Sequence, residues 1–339
     1  MRCDAARLKL GHEWERIGMS SREIVVENLY KRYGDFVAVN GVSFHVKSGE
    51  IFGFLGPNGA GKSTVVKILT TLALPSEGKA TVAGYDISTQ AEQVRSISGV
   101  ALQEIGLDPI MKSLELLTIQ GQMFGASRRQ ARTKALELLR LVKLDEFTDR
   151  MVGKYSGGMR RRLDLAMALV HDPEILFLDE PTTGLDPASR RDIWSEVYRL
   201  NRELGMTIFL TTQYLEEADE LADRIAIIDG GRIVAEGTPD SLKAALGGES
   251  INITLRDDAA VEKAKAQIGD MVEKMQVDRN ILRLYLPNAA NAVPAVVMRL
   301  QAAHLELVSL TLTQPTLDDV FLQVTGQRYS ADAAQPTVA

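Results

Sequence analysis

Cysteine is almost missing from this chain of 339 residues: a single one, Cys3, stands near the start, so no internal disulfide can brace the fold. That usage suits a reducing compartment. No apolar run approaches the roughly 18 residues that a bilayer-crossing helix needs, so the chain is not expected to span a membrane. Positive charge is not in excess either. The 39 Lys and Arg face 45 Asp and Glu, a net charge of −6, which opposes a nucleic-acid-binding surface because such a surface must neutralise phosphates. Arg2, Asp4, Arg7, Lys9, Glu13, Glu15 and Arg16 interrupt the apolar stretches at the start and exclude the apolar region of a secretory leader. The expectation is a cytosolic protein. What is present is 45% hydrophobic and 25% charged residues, the composition of a globular protein with a substantial core. There is length for one large domain or two ordinary ones, and no internal repeat.

The chain reads as alternating strands and helices. In Gly41 to Lys47, Val42, Phe44 and Val46 alternate with Ser43, His45 and Lys47, which places His45 on the polar face of a half-buried strand. Glu50 to Gly56 is an apolar strand that runs into a glycine-rich segment. The helix that follows has Val65, Val66, Ile68, Leu69 and Leu72 on its apolar side. Residues 105–168 read as a mostly helical insertion, with helices around Leu114 to Phe124 and Arg129 to Leu144. Strands at Ile175 to Leu178 and Thr207 to Leu210 then alternate with helices at Ile193 to Leu204 and Leu215 to Ala222. Gly230-Gly231 signals a hairpin between two further strands. This order predicts a parallel α/β core split by the helical insertion. Beyond Gly247-Gly248, strands at Ile251 to Leu255, Ile281 to Leu286 and Leu305 to Leu312 alternate with helices at Val261 to Ile268, Ala292 to Ala303 and Leu317 to Val324. The expected divisions are an N-terminal extension (1–22), the main domain (23–247), a small C-terminal α+β domain (248–326) and a disordered tail (327–339).

Two segments carry phosphate chemistry. Gly56, Pro57, Asn58, Gly59, Ala60, Gly61, Lys62, Ser63 and Thr64 fit the P-loop pattern, between an apolar strand and a helix as that pattern requires. Its glycines let successive N–H groups point at the β- and γ-phosphates, and the helix N-terminus adds its positive end. Lys62 supplies a point charge and the Ser63 hydroxyl a ligand for Mg²⁺. In Ile175-Leu-Phe-Leu-Asp-Glu-Pro181, four apolar residues suit a strand buried on both faces, and two carboxylates fall at its C-terminal end. Asp179 is placed to hold Mg²⁺, and Glu180 to polarise a water for attack on the γ-phosphate. Taken alone, such an acidic pair is as readily a helix cap.

A third segment, Tyr155-Ser-Gly-Gly-Met159, opens a helix whose apolar face is Met159, Leu163, Ala166, Met167 and Val170. Its Ser156-Gly157-Gly158 turn is a second phosphate cradle by the same physics. With Gly184-Leu-Asp-Pro187 it closely resembles the signature motif and D-loop of ABC ATPase subunits, and the resemblance spans about Glu23 to Leu246. It implies a P-loop ABC ATPase fold: a RecA-like core with an antiparallel β-subdomain and a helical insertion. It implies ATP and Mg²⁺ as cofactors, and a head-to-tail homodimer in which one P-loop faces the other subunit's Ser156-Gly157-Gly158 turn. It also implies that Tyr33 stacks on adenine, with Tyr30 as its neighbour and a plain surface tyrosine as the alternative. Gln103 becomes the glutamine that reaches Mg²⁺ and the attacking water, or else a solvated loop amide. Asp186 joins the nucleotide site, and residues 104–125 resemble the surface that receives a membrane subunit. Arg160 to Arg162 read as a solvated helix face.

The chain departs from the family pattern. Tyr155 replaces the usual leucine, Met159 a common glutamine, and Gln213 the switch histidine. A glutamine amide still donates a hydrogen bond to the γ-phosphate but cannot carry an imidazolium charge. These departures and Thr316 to Leu322 resemble the daunorubicin/doxorubicin-resistance exporters. That subfamily implies a separate ABC-2-type permease, export of drug or lipid, a bacterial source, and a place on the cytoplasmic face of the cell membrane. The competing reading is an ABC-type ATPase that acts on ribosomes or another target, but such proteins usually join two cassettes in one chain.

Overall fold

In the computed structural model the described residues are 22–104, 106–246, 249–272, 274–286 and 289–326. Cys3, the Gly247-Gly248 break, the tail and all of the expected N-terminal extension except Arg22 lie outside them.

Alternation of apolar and polar residues builds the first sheet. β1 (Ile24–Tyr33) pairs antiparallel with β2 (Phe36–Val46), burying Ile24, Val26, Val42, Phe44 and Val46 on one side. His45 is exposed beside Glu23, as its polar-face register predicts. Every residue of β3 (Ile51–Leu55) is buried, and α1 (Lys62–Leu69) follows it. Leu72 falls outside that helix and is 59% exposed, contrary to expectation. The turn after Leu69 breaks the helical period, so the spacing that aligned Leu72 with Leu69 no longer applies. The sequence reading assigns no element to residues 77–101. They form β4 (Glu77–Val82) and β5 (Tyr85–Asp86), which complete a first sheet of order β2-β1-β4-β5, then α2 (Ala91–Ile97) and β6 (Ser98–Ala101).

The helical insertion holds α3 (Ser113–Met123), α4 (Arg128–Leu141) and α5 (Gly157–Ala168). Ser127 caps α4 in a reciprocal capping box with Gln130, which fixes the start of that helix. The chain then returns through β7 (Ile175–Asp179), α6 (Pro187–Leu204), β8 (Thr207–Thr212), α7 (Leu215–Leu221), β9 (Arg224–Asp229), β10 (Arg232–Gly237) and α8 (Pro239–Ala244). The second sheet runs β10-β9-β3-β8-β7-β6, parallel from β9 to β6, with β10 antiparallel at one edge. β3, β7 and β8 are buried on both faces, hence their near-continuous apolar runs. Phe44, Phe52 and Phe209 stack at centroid separations of 5.4 to 6.0 Å, joining the first sheet to the second. Loops carrying Gly56 to Gly61, Gln103, Glu180 and Gln213 all leave the C-terminal ends of these parallel strands, where open α/β sheets bind ligands.

The C-terminal unit comprises β11 (Glu249–Leu255), α9 (Asp258–Ile268), β12 (Lys274–Asp278), β13 (Ile281–Leu286), α10 (Ala289–Ala302), β14 (Leu307–Thr313) and α11 (Leu317–Thr325). Its antiparallel sheet has the order β12-β13-β11-β14. The sequence offers no strand signal for Lys-Met-Gln-Val-Asp, and β12 forms as a half-exposed edge paired only with β13. The unit has an apolar core of its own, yet Tyr285, Leu317, Val320 and Phe321 pack in a cluster with Leu55, Leu215, Ala218 and Ile225 of the main domain.

Phe209 contacts four other phenylalanine rings in the core. Phe209→Ala is expected to cost about 3–5 kcal/mol, read as a lowered urea midpoint at unchanged m-value. A wild-type midpoint would show that the ring cluster does not join the two sheets energetically.

Candidate active site

Leu55 ends β3, and the next residue has no space for a side chain: a Cβ on Gly56 would lie 2.3 Å from the Ile228 carbonyl oxygen. Gly61 has a φ of +105°, and a Cβ there would meet the Ala38 carbonyl oxygen at 2.4 Å. Between them Pro57 is partly covered, Asn58 and Gly59 are exposed, and Ala60 is buried. The loop thus presents its backbone outward from a buried base. Lys62 opens α1 and is itself buried. Its ammonium donates to the carbonyls of Gly56 at 2.8 Å and Pro57 at 3.0 Å and pairs with Glu180 Oε1 at 3.0 Å. Those contacts occupy all three of its donors. Burial pulls the Lys62 pKa below its ordinary value, against the raising effect of Glu180 and Asp179.

Ser63 Oγ donates to Asp179 Oδ1 at 3.1 Å, and Thr211 Oγ1 donates to the same oxygen at 2.5 Å. Thr64 is half-buried on the next turn position. Glu180 has a left-handed φ of +49°, a costly conformation for a residue with a side chain. Its N–H is held by both the carbonyl and the hydroxyl of Thr211, each at 3.1 Å. Gln103 Nε2 at 3.2 Å and Thr183 Oγ1 at 3.3 Å donate to Glu180 Oε2. The structure therefore gathers Lys62, Ser63, Gln103, Asp179 and Glu180 into one hydrogen-bonded group.

Gln213 is buried just beyond β8, two residues past Thr211, which pairs in register with Asp179. Ser156 caps α5 by accepting from the Met159 N–H at 3.2 Å, leaving Gly157 exposed, while Gly158 is buried against Ser189. Asp186 is exposed and caps α6, accepting from the N–H groups of Ala188 and Ser189 and from the Ser189 hydroxyl. Those bonds hold its pKa below the usual carboxylate range. Tyr33 stands half-exposed at the end of β1 with Lys31 Nζ 5.0 Å from its ring centroid, whereas the Tyr30 ring is packed over Gly41. Tyr33 thus has the freer ring face. Gln103, Gly157, Arg160 and Glu180 border a cavity of about 480 Å³ between the helical insertion and the sheet.

The reading of Arg160 to Arg162 as a solvated face fails at its centre. Arg160 is exposed, but Arg161 is buried and donates to the carbonyls of Pro181, Leu102 and Asp179 and to Asp164. Residue type cannot separate three consecutive arginines, and only the spacing to Asp164 hinted at a partner. Burial pushes the Asp164 carboxyl up to about 6, opposed by Arg161. Tyr155, the departure from leucine, is buried, with its hydroxyl donating to the Phe147 carbonyl at 2.8 Å and bonded to the Ser113 hydroxyl at 3.0 Å. It ties the turn before α5 to the helical insertion. Thr211 and Thr183 were also missed: Thr211 ends an apolar run and reads as strand-forming, and Thr183 sits in a turn where threonine carries no signal of its own.

A model of the ABC transporter family matches residues 39–183, and one of the ATP-binding protein DrrA1-3-like C-terminal domain matches residues 237–325. The chain is 44% identical to a daunorubicin resistance ATP-binding protein, DrrA3, of Streptomyces coeruleorubidus, over 91% of this chain and 97% of that protein. It is 39% identical to the linearmycin resistance ATP-binding protein LnrL of Bacillus subtilis, over 89% and 97% respectively. It is 39% identical to a Nod factor export ATP-binding protein I of Burkholderia orbicola, over 91% and 99%. Among solved structures, the dimeric ATP-binding cassette MJ0796 in a post-hydrolysis state with ADP and Pi superposes with a TM-score of 0.58 at 27% identity. That match covers 63% of this chain and 98% of the cassette.

Arg161→Leu strands three carbonyls and Asp164 without their donor. The expected loss is about 3–5 kcal/mol of stability, measured by urea unfolding. A loss below about 1 kcal/mol would mean that these groups find other partners.

Proposed function

The chain belongs to the ATP-binding subunits of ABC transporters, and from that premise we propose how its residues divide the work of hydrolysis. It is an ATPase of the exporter type, and it works with a membrane-embedded partner and with a second cassette. One observation carries the assignment of roles. A buried lysine, a hydroxyl, an amide and two carboxylates share hydrogen bonds at the C-terminal ends of adjacent parallel strands.

In this reading the backbone of Gly56 to Thr64 wraps the β- and γ-phosphates, and Lys62 turns its charge to them. Phosphate oxygens replace Glu180 as a partner of the ammonium, which frees the carboxylate to accept from water. Glu180 then orients that water in line with the γ-phosphate and takes its proton. Gln103 holds the carboxylate from one side, and Gln213 donates a neutral N–H to the charge that develops on the phosphate. Tyr33 stacks on adenine. Ser156, Gly157 and Gly158 of one subunit close over the P-loop of the other, with Asp186 setting the adjoining turn through its cap.

Ser63, Asp179 and the Gln103 amide oxygen would hold Mg²⁺. These are hard oxygen donors that suit the ion. Among the described residues no group of three or more His, Cys, Asp and Glu could hold a metal, which fits an ion that draws its other ligands from phosphate and water. When bound, the ion neutralises charge between the phosphates.

The membrane partner is proposed to be an ABC-2-type permease, received on the helical insertion around residues 104–125, where Ile110, Met123 and Phe124 are exposed. Such large exposed apolar side chains suit a partner surface. Among the described residues no helix is long and apolar enough to cross a membrane. The chain is placed at the cytoplasmic face of a bacterial membrane, with a drug or lipid as cargo. Residues 248–326 are proposed as an accessory domain for assembly that supplies no catalytic group.

Glu180→Gln is expected to keep ATP binding, abolish turnover and leave an ATP-locked dimer, while Lys62→Ala loses binding. Nucleotide binding and phosphate release measured on both variants check this, and wild-type turnover in Glu180→Gln removes Glu180 from its role. Gln213→Ala is expected to slow turnover by about 10²–10³-fold. Gln213→His retains activity and acquires a pH dependence near the imidazole pKa. Rates across about pH 6 to 8 in the assembled transporter decide, and equal rates for wild type and Gln213→Ala sink the switch assignment.

A further inference from the structure

Glu217 is a fully buried carboxylate that the proposed chemistry does not use. It lies on α7, four positions beyond Gln213 in sequence. One oxygen, Oε1, accepts from Thr182 Oγ1 at 2.9 Å and from Trp194 Nε1 at 2.9 Å. Thr182 is two residues past Glu180, and Trp194 is on α6, the helix that Asp186 caps. One carboxylate thus joins the turn after Glu180, the helix after the D-loop, and the helix that follows Gln213.

A second contact binds the same two helices. The guanidinium of Arg190, one helical turn before Trp194, lies 4.1 Å from the centroid of the Tyr214 ring, one residue past Gln213. Arg190 and Trp194 share a face of α6 and meet Tyr214 and Glu217 pairwise.

Stability alone does not account for a carboxylate here. Leu215, Ala218 and Leu221 make the rest of the buried face of α7 apolar, and an apolar side chain fills such a place at lower cost than a charge. Among the described residues Glu217 forms no salt bridge, and its Oε2 meets no hydrogen-bond partner. Burial raises its pKa, against the stabilising effect of Thr212, Trp194 and Thr182. What the carboxylate offers that leucine lacks is one acceptor shared by two donors, one from the turn after Glu180 and one from α6.

We propose that Glu217 is a positioning residue, whose carboxylate locks Thr182, Trp194 and the base of α7 together so that Glu180 and Gln213 keep a fixed relation. Fully buried, it acts through the turn and the helix it joins. This rests on the roles given above to Glu180 and Gln213. With α7 held to the Glu180 turn, the neutral donor of Gln213 stays aligned with Glu180.

The chain has two tryptophans, so Trp14→Phe leaves Trp194 as its one tryptophan, read by excitation selective for indole. In that background, steady-state ATPase constants are measured in the assembled transporter, and Trp194 emission with Mg-ATP on the full chain without its membrane partner. Glu217→Ala is expected to lower kcat about tenfold, change KM for ATP by less than about twofold, and abolish the Trp194 emission change. Glu217→Gln keeps an acceptor oxygen and restores both readouts to within about threefold of wild type. Wild-type kcat in Glu217→Ala overturns the proposal, as does an equal loss in the Ala and Gln variants, which marks a merely structural role. Should Glu217→Ala not fold, Trp194→Phe removes one donor alone. A severalfold fall in kcat at constant KM then supports the proposal, and wild-type kcat overturns it. Unslowed turnover in Glu180→Gln or Gln213→Ala is a separate result that removes the roles on which the proposal stands.

Discussion

A lysine ammonium buried beside two carboxylates is the constraint around which the catalytic end of the sheet is built. Removing such a charge from water is costly, and only saturation of its donors makes the position tenable. Lys62 has that saturation through two loop carbonyls and Glu180. Phosphate oxygens compete for the same donors on stronger terms, because they bring negative charge where the carbonyls bring only dipoles. The loop is therefore tied at Gly56 and Pro57 to the same ammonium that holds Glu180, and in the proposed function the phosphates take over that ammonium.

The carboxylates are braced in turn. Thr211 bonds the side chain of Asp179 and the backbone of Glu180, so β8 fixes the end of β7. Arg161 reaches in from α5 and holds the carbonyls of Asp179 and Pro181 on either side of Glu180. The helix that opens with the Ser156-Gly157-Gly158 turn is thereby fastened to the end of β7 and the turn that carries Glu180. A shift of that helix on forming the dimer interface reaches Glu180 through two hydrogen bonds, with no need for a long pathway.

At the other side of the sheet, α7 lies between the active site and the C-terminal unit. Its buried residues Leu215 and Ala218 share a cluster with Leu317, Val320 and Phe321 of α11, while its Glu217 faces the Thr182 turn. The C-terminal unit is thus packed against the element that follows the switch residue. A division drawn from glycines and strand spacing alone gives no hint of this, because apolar residues on a short helix look the same whether they serve their own domain or a neighbouring one.

By itself the sequence determined the local chemistry. The glycine spacing from Gly56 to Gly61, the apolar run into Asp179-Glu180 and the Ser156-Gly157-Gly158 turn each declare a purpose, because each depends on residues adjacent in the chain. The buried strands of the parallel sheet were legible for the same reason. Residues 77–101 and β12 were not, since weakly apolar strands owe their existence to the partners they pair with. Tertiary structure alone decided which of three arginines turned inward, and which threonine hydroxyls met Asp179 and Glu180. It also decided that Glu217 would bridge the Thr182 turn, 35 positions away, and Trp194 on α6, 23 positions away. Burial and hydrogen-bond geometry belong to the packed chain, and no pattern of neighbours along the sequence encodes them.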